Sequence, residues 1–287
     1  MKLSSYTLLI VAGIFAALFA FERFFPLRRN RAALATRLVI NLALSALAFL
    51  TAMLAVRPSA LQTLNWASHT TFGLLNLVRL PGWAQFAIGF LLLDASFYYW
   101  HIINHRLPVL WRFHNVHHMD PDLDISTGFR FHFGEVLLSA LFRIAQVSLI
   151  GMSFATFAVY ELVFQANTLF QHSNARLPIG LERMLNLVLV TPRMHAIHHS
   201  QVRGETDSNF GVVFSWWDKL HRTVGLNIPQ SKIEIGVPGY SAPGDNRLRQ
   251  ALMLPFRKQR DYWRKPDGTI PTRDAAVLDS RRTRLAE

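Results

Sequence analysis

Long runs of apolar residues dominate the first 170 positions of the chain. The run at 6–21, YTLLIVAGIFAALFAF, carries no charge, and the run at 38–56, LVINLALSALAFLTAMLAV, is long enough to cross a bilayer core. A third run at 83–100, WAQFAIGFLLLDASFYYW, has a similar length and one charge, Asp94. Apolar stretches of this length predict three membrane-spanning helices.

The fourth apolar run, at 136–170, is about twice as long as one crossing requires. Gly151 lies near its middle and predicts a helical hairpin that turns there. A cleavable signal peptide is the alternative interpretation of the first run, but the small-residue cleavage site is missing and the basic residues follow the run. The pattern therefore predicts an all-α integral membrane protein with about five hydrophobic helical segments, three spans plus a helical hairpin.

The basic residues predict how these spans are oriented. The connection after the first run contains five arginines, whereas residues 57–82 contain only Arg57 and Arg79. The positive-inside rule then places the first connection in the cytoplasm and the second outside. The third span returns to the cytoplasmic side, and a hairpin at 136–170 keeps the basic remainder there too. We therefore expect a multi-pass protein whose histidine-rich segments form a cytoplasmic helical cap.

Composition narrows the chemistry further. The 287-residue chain has a formal net charge of +12 and no cysteine. A basic chain fits either nucleic acid or an anionic membrane surface, but the predicted spans and the lack of a recognisable binding module argue against nucleic acid. Without thiolates, any metal must be held by histidine or by oxygen ligands.

Eight of the 12 histidines fall into three short clusters. The clusters are His101 and His105; His114, His117 and His118; and His195, His198 and His199. The second and third share one spacing, and all three are predicted to lie at the same edge of the membrane. A single zinc takes about four ligands, so eight imidazoles predict two metal ions. Imidazole suits iron, zinc, copper and nickel alike, so the metal stays open at this point.

Helix signals predict that the second and third clusters each lie on a short helix. Pro108 suits the first turn of a helix that ends near Asp120 and Pro121. Thr191 and Pro192 similarly suit an N-cap and a first helical position. Each of these two clusters is therefore predicted to lie on its own short helix.

The segments HIINH, LWRFHNVHH and TPRMHAIHH, followed by SNFGVVFSWWDKLHRT, resemble the sterol desaturase and fatty acid hydroxylase superfamily of membrane di-iron enzymes. The resemblance runs from roughly 85 to 240 and departs from the family pattern at Ile102, where many members carry arginine. It implies a cluster of iron ions and dioxygen as oxidant. Together with the eight imidazoles this predicts two iron ions, which zinc is able to replace because affinity alone does not protect iron. The resemblance also implies hydroxylation or desaturation of a lipid C–H bond, with the eight clustered histidines as metal ligands.

Further residues are candidates for the same site. His172 and His132 match the family less firmly and are predicted as additional ligands, with helix capping or support of another ligand as the alternative. Asp94 is predicted to orient a metal-binding histidine from outside the ligand set. The two remaining histidines, His69 and His221, are predicted not to be ligands. Asp207 and Asp218 are weaker candidates for a supporting role, and Asp120 and Asp124 are predicted to be loop residues.

The chain is expected to divide into N-terminal transmembrane helices with an outer loop (1–82), a catalytic domain (83–240) and a basic C-terminal tail (241–287). Within the tail, residues 248–265 suit either anionic headgroups or solvent. No Gly-rich flavin or nicotinamide motif is present, so a separate reductase or ferredoxin-like protein is expected to supply electrons. The alternative function is a divalent-metal transporter, or a metal-binding membrane protein without oxygenase activity. Transporters usually place ligands near the midplane, unlike these clusters.

Overall fold

The long helices of the structure follow the apolar runs of the sequence. The computed structural model describes residues 2–70, 72–273 and 285, with side chains from residue 7 onward. The long helices are α1 (Lys2–Phe24), α2 (Leu34–Thr51), which continues through a π-helical segment (Ala52–Val56) into α3 (Arg57–Ser68), α4 (Gly82–Arg106), α6 (Phe133–Ile150) and α7 (Phe154–His172). The short helices are α5 (Pro108–His118), α8 (Ile179–Leu185), α9 (Pro192–His198), α10 (Arg203–Thr206), α11 (Trp216–His221) and α12 (Leu248–Met253).

Four stretches are long and apolar enough to cross a membrane. They are Thr7–Phe24, Leu34–Ser68, Gly82–Arg106 and Phe133–Ile150. Helix α7 follows α6 after the turn at Gly151, packs against α1 and α4, and completes the five hydrophobic segments. The described residues form isolated bridges but no β-strand. The prediction of an all-α membrane protein is confirmed.

The predicted hairpin is present and turns at Gly151. Its φ of +70° lies in the left-handed region, which favours glycine. A Cβ here would also lie 2.9 Å from the Asn76 amide nitrogen and 3.0 Å from the Gly73 Cα. Ser153 then starts α7, its hydroxyl accepting a hydrogen bond from the Thr156 amide at 3.1 Å. The turn therefore needs glycine for both its backbone conformation and its close packing.

The interior of the helix bundle is rich in aromatic side chains. Phe97 of α4 stacks on Phe164 of α7 at 4.5 Å between ring centroids. Trp100, one turn closer to the first histidine cluster, stacks on Phe142 of α6 at 4.7 Å. Burial of these large rings fixes α4 against the hairpin. The histidines at the end of α4 are thereby held at one end of a rigid apolar bundle.

The C-terminal segment packs against the protein over its described part. Ala251 and Leu254 are buried in one cluster with Leu44 of α2 and Trp111 of α5. The Trp263 ring stacks on Trp111 at 6.0 Å between centroids. These apolar side chains therefore contact α2 and α5, where a headgroup-bound or solvated segment was expected. The predicted tail is described as far as residue 273. Beyond it, only residue 285 belongs to the described residues.

Candidate metal centre

Four helices bring the histidine clusters together at one end of the bundle. The last two turns of α4 carry His101 and His105, and α5 follows after Leu107 alone, so the first two clusters adjoin. Proline occupies the start of both α5 and α9, as predicted. Thr191 is the N-cap of α9, although its side chain makes no capping hydrogen bond. Helix α7 ends at His172, which reaches the same place.

Nine histidines form two groups of converging ring nitrogens. The first group is His101, His105, His114, His118 and His198, and the second is His117, His172, His195 and His199. Within each group, one nitrogen per residue lies within 4.8 Å of all the others. The second and third sequence clusters each contribute to both groups. Local spacing in the sequence could not reveal this division, because it depends on how α5 and α9 face each other.

Backbone carbonyls orient three of the rings. The Nδ1–H of His101 donates to the Phe210 carbonyl at 2.9 Å, and that of His198 donates to the Ser208 carbonyl at 2.7 Å. His172 Nδ1–H donates to the carbonyl of Thr168 at 2.7 Å. Each bond leaves Nε2 unprotonated as the ligand atom, which is the usual arrangement of metal-binding histidine.

Carboxylates support the first group. His114 Nδ1 lies 2.8 Å from the Glu135 carboxylate, and His105 Nδ1 lies 3.9 Å from that of Asp207. Asp218 acts one step further away, accepting from the Phe210 amide at 2.8 Å and so holding the carbonyl that binds His101. Sequence reasoning missed Glu135. It could have been found as the acidic residue directly before the apolar run at 136–170, because a charge at that position is costly without a partner.

The nitrogens that point into the groups fit a bound cation. In the first group, buried Nε2 atoms of His105, His114 and His198 have no hydrogen-bond partner. In the second group, His172 Nε2 lies 3.1 Å from His117 Nε2 and 3.0 Å from His195 Nε2. Lone pairs this close repel unless a proton or a cation lies between them. A donor set of neutral imidazoles suits a transition metal such as iron or zinc.

Burial keeps these imidazoles neutral. It lowers the pKa of His117, His118 and His199 well below the usual value, and neighbouring histidines lower it further. Burial likewise lowers the pKa of His198 to about 3, against backbone hydrogen bonds that raise it. At neutral pH these four rings are therefore neutral ligands rather than repelling cations.

His132 does not join either group, so its prediction as a ligand is corrected. Its Nδ1 accepts a hydrogen bond from the Gly134 amide at 2.9 Å, and its Nε2 lies 3.1 Å from the Leu252 carbonyl. Both nitrogens are occupied by the backbone, and the residue is the N-cap of α6. His69 and His221 also lie outside both groups, as expected.

Asp94 contacts no histidine, so the prediction that it orients one directly is wrong. Its carboxylate accepts hydrogen bonds from the Trp217 indole at 2.8 Å, the Phe214 amide at 3.1 Å and the Tyr160 hydroxyl at 3.1 Å. These partners come from α11, the segment before it and α7. Asp94 therefore fastens the 214–217 segment to the bundle.

We expect Asp94→Asn to lower stability while leaving metal binding intact. The amide NH₂ that replaces one oxygen cannot accept from Trp217 or Phe214, and an unsatisfied buried group costs about 1–3 kcal/mol. Thermal unfolding in detergent and metal analysis of the same sample check both parts. Asp261→Asn, at an exposed position, is the control. Metal loss without destabilisation would instead give Asp94 a direct role at the metal centre.

Asp120 and Asp124 are not simple loop residues. Both are fully buried. They bind Arg37, with the guanidinium Nε 2.7 Å from Asp120 and Nη1 2.6 Å from Asp124. The segment after the second histidine cluster is therefore fixed to α2 by buried ion pairs.

Fold and site together define a multi-pass membrane protein with a histidine-rich metal centre at one end of its helix bundle. Residues 86–223, which carry every histidine of both groups, match the model of the fatty acid hydroxylase family. Over this region the chain is similar to that family, and the resemblance of its histidine motifs to the sterol desaturase and fatty acid hydroxylase superfamily is confirmed.

Several characterised proteins are similar to this chain. Ornithine lipid hydroxylase OlsE of Rhizobium tropici is 31% identical over 175 residues, covering 61% of this chain and 51% of that protein. Alkylglycerol monooxygenase of Homo sapiens is 30% identical over 161 residues, covering 55% of this chain and 34% of that protein. Cholesterol 25-hydroxylase of Homo sapiens is 27% identical over 136 residues, covering 47% and 48%. The chain thus spans about half the length of these relatives, or less. No solved structure matches it.

Proposed function

We propose that this protein is a membrane-bound di-iron oxygenase that hydroxylates or desaturates a lipid C–H bond with dioxygen. The observation that carries the proposal is the convergence of nine buried histidines in two groups at one end of an apolar bundle. The similar proteins are named as hydroxylases and monooxygenases of lipids and sterols, which supports the reaction class. They do not favour metal transport, the alternative function.

We propose two iron ions, one for each group. Nine imidazoles exceed the coordination of a single ion, and neutral nitrogen donors suit iron, with zinc able to replace it because affinity alone does not protect iron. Bound iron would supply the activation of dioxygen. The Nδ1–H bonds of His101, His172 and His198 to backbone carbonyls hold the rings ready before any metal arrives.

The surroundings of the site suit a lipid substrate. Aromatic side chains of α4, α6 and α7 fill the bundle next to the histidines and exclude water from the reacting end. Such apolar surroundings suit an acyl, sterol or ether-lipid chain as substrate. Electrons are proposed to come from a separate reductase or ferredoxin-like donor, since the sequence contains no flavin or nicotinamide motif.

We propose that the metal centre faces the cytoplasm, from the arginine-rich first connection. We expect single cysteines placed near residue 30 and near residue 110 to be labelled from the cytoplasm, and one at residue 65 only from outside. The natural chain has no cysteine, so each introduced thiol gives a clean signal. Labelling of residues 30 and 65 from the same side would refute this topology.

Lipid analysis of cells with and without the protein tests the reaction itself. We expect one lipid class to gain the mass of one oxygen or to lose the mass of two hydrogens. His117→Ala, which removes one predicted ligand, is the matched inactive control. A lipid profile equal to that of the control, together with altered metal uptake, would favour the transporter alternative instead.

A further inference from the structure

We propose that Glu135 makes the two metal positions unequal, by fixing the ring of His114 and adding negative charge to the first histidine group. The first group then binds a divalent ion more tightly and fills before the second. This inference rests on the proposed dinuclear centre. It concerns a positioning residue outside the ligand set.

The position of Glu135 is set by the start of α6. His132 caps this helix, and Glu135 lies in its first turn, close to the second histidine cluster. One carboxylate oxygen lies 2.8 Å from His114 Nδ1. The other is buried without a hydrogen-bond partner, and no lysine or arginine among the described residues pairs with Glu135. A buried carboxylate with so little compensation is costly unless a cation lies nearby.

The charge around the two groups differs. The first group has five imidazoles, with Glu135 at His114 and Asp207 3.9 Å from His105 Nδ1. The second has four imidazoles, and within the part of the chain that the structure describes, no acidic side chain makes such a contact with any of their ring nitrogens. His172 is oriented there by the neutral Thr168 carbonyl. More ligands and more negative charge favour the dication in the first group.

A purely structural role for Glu135 predicts something different. An acidic residue in the first turn of a helix stabilises it through the helix dipole by about 0.3–1 kcal/mol. Such a role would change thermal stability and leave metal affinity alone. The affinity of each position, measured without turnover, therefore separates the two roles.

The experiment is a titration of metal-free protein in detergent with Co²⁺, followed by calorimetry and visible absorption. We expect two binding steps in the wild type. Glu135→Gln, which keeps the side-chain length but removes the charge, should weaken the first step by about 10–100-fold and leave the second unchanged. Glu135→Asp, which keeps the charge, should weaken it less and serves as the second variant where Glu135→Gln fails to fold.

Two controls identify the steps. Glu234→Gln makes the same chemical change at a half-exposed surface ion pair and should alter neither step. His172→Ala should remove the second step and retain the first, because His172 belongs to the second group.

Equal weakening of both steps by Glu135→Gln, or weakening of neither, would overturn the proposal. Lowered thermal stability with unchanged Co²⁺ affinity would do the same and leave Glu135 a structural role. A wild type that binds one ion would refute the dinuclear centre. In that case Glu135→Gln still decides whether the residue supports the ion that remains.

Discussion

His117→Ala and His198→Ala should each abolish lipid oxidation while the protein still inserts into the membrane. The two residues belong to different groups, and each offers a ring nitrogen to its group. We expect purified wild type to carry close to two irons per chain, and each variant to carry about one fewer. Both substituted residues lie outside the helices that are long and apolar enough to cross the membrane, so insertion should not change. Iron analysis and lipid analysis of the same preparations check both effects.

His69→Ala and His132→Ala are the matched controls. His69 is exposed, and His132 uses both ring nitrogens on the backbone. Neither substitution should change iron content, although loss of the α6 cap should cost His132→Ala about 0.5–2 kcal/mol of stability. Full iron content in His198→Ala would contradict the assignment of the first group. Loss of iron in His132→Ala would restore that residue as a ligand.

Features with local signals were predictable from the sequence. Gly151 marks the hairpin turn because its left-handed backbone conformation favours glycine, and proline marks the starts of α5 and α9. The lengths of the apolar runs predicted the long helices. The histidine clusters pointed to a shared site because topology placed them at one edge, and His172 followed from the end of the hairpin.

Features that depend on distant partners were not predictable. Glu135 and His114 lie 21 positions apart, and no spacing rule links them. Asp94 shares a helix face with His101, yet its three partners come from around positions 160 and 215. A carboxylate bonds to the nearest available donors, and those donors are known only after the helices have packed.

The buried ion pairs of Arg37 show the same limitation. The guanidinium binds both oxygens of Asp120, at 2.7 and 2.9 Å, and one oxygen of Asp124 at 2.6 Å. Burial on its own would raise the pKa of Asp120, but Arg37 and Arg130 outweigh it and lower that pKa to about 2. Asp120 therefore stays charged at neutral pH, and its contribution to stability is lost only as the pH falls through about 2.

Arg37→Met should therefore be strongly destabilising. It leaves the charges of Asp120 and Asp124 buried without their main partner, which typically costs about 3–5 kcal/mol. The matched control is Arg31→Met in the connection just before α2, because Arg31 forms an exposed ion pair with Glu234 and such pairs contribute about 0–1 kcal/mol. Unfolding of the metal-free proteins in detergent measures the difference without any effect of ligand binding. Equal losses in the two variants would mean that water reaches Asp120 and Asp124, and that the buried ion pairs do not fix the segment after the second histidine cluster to α2.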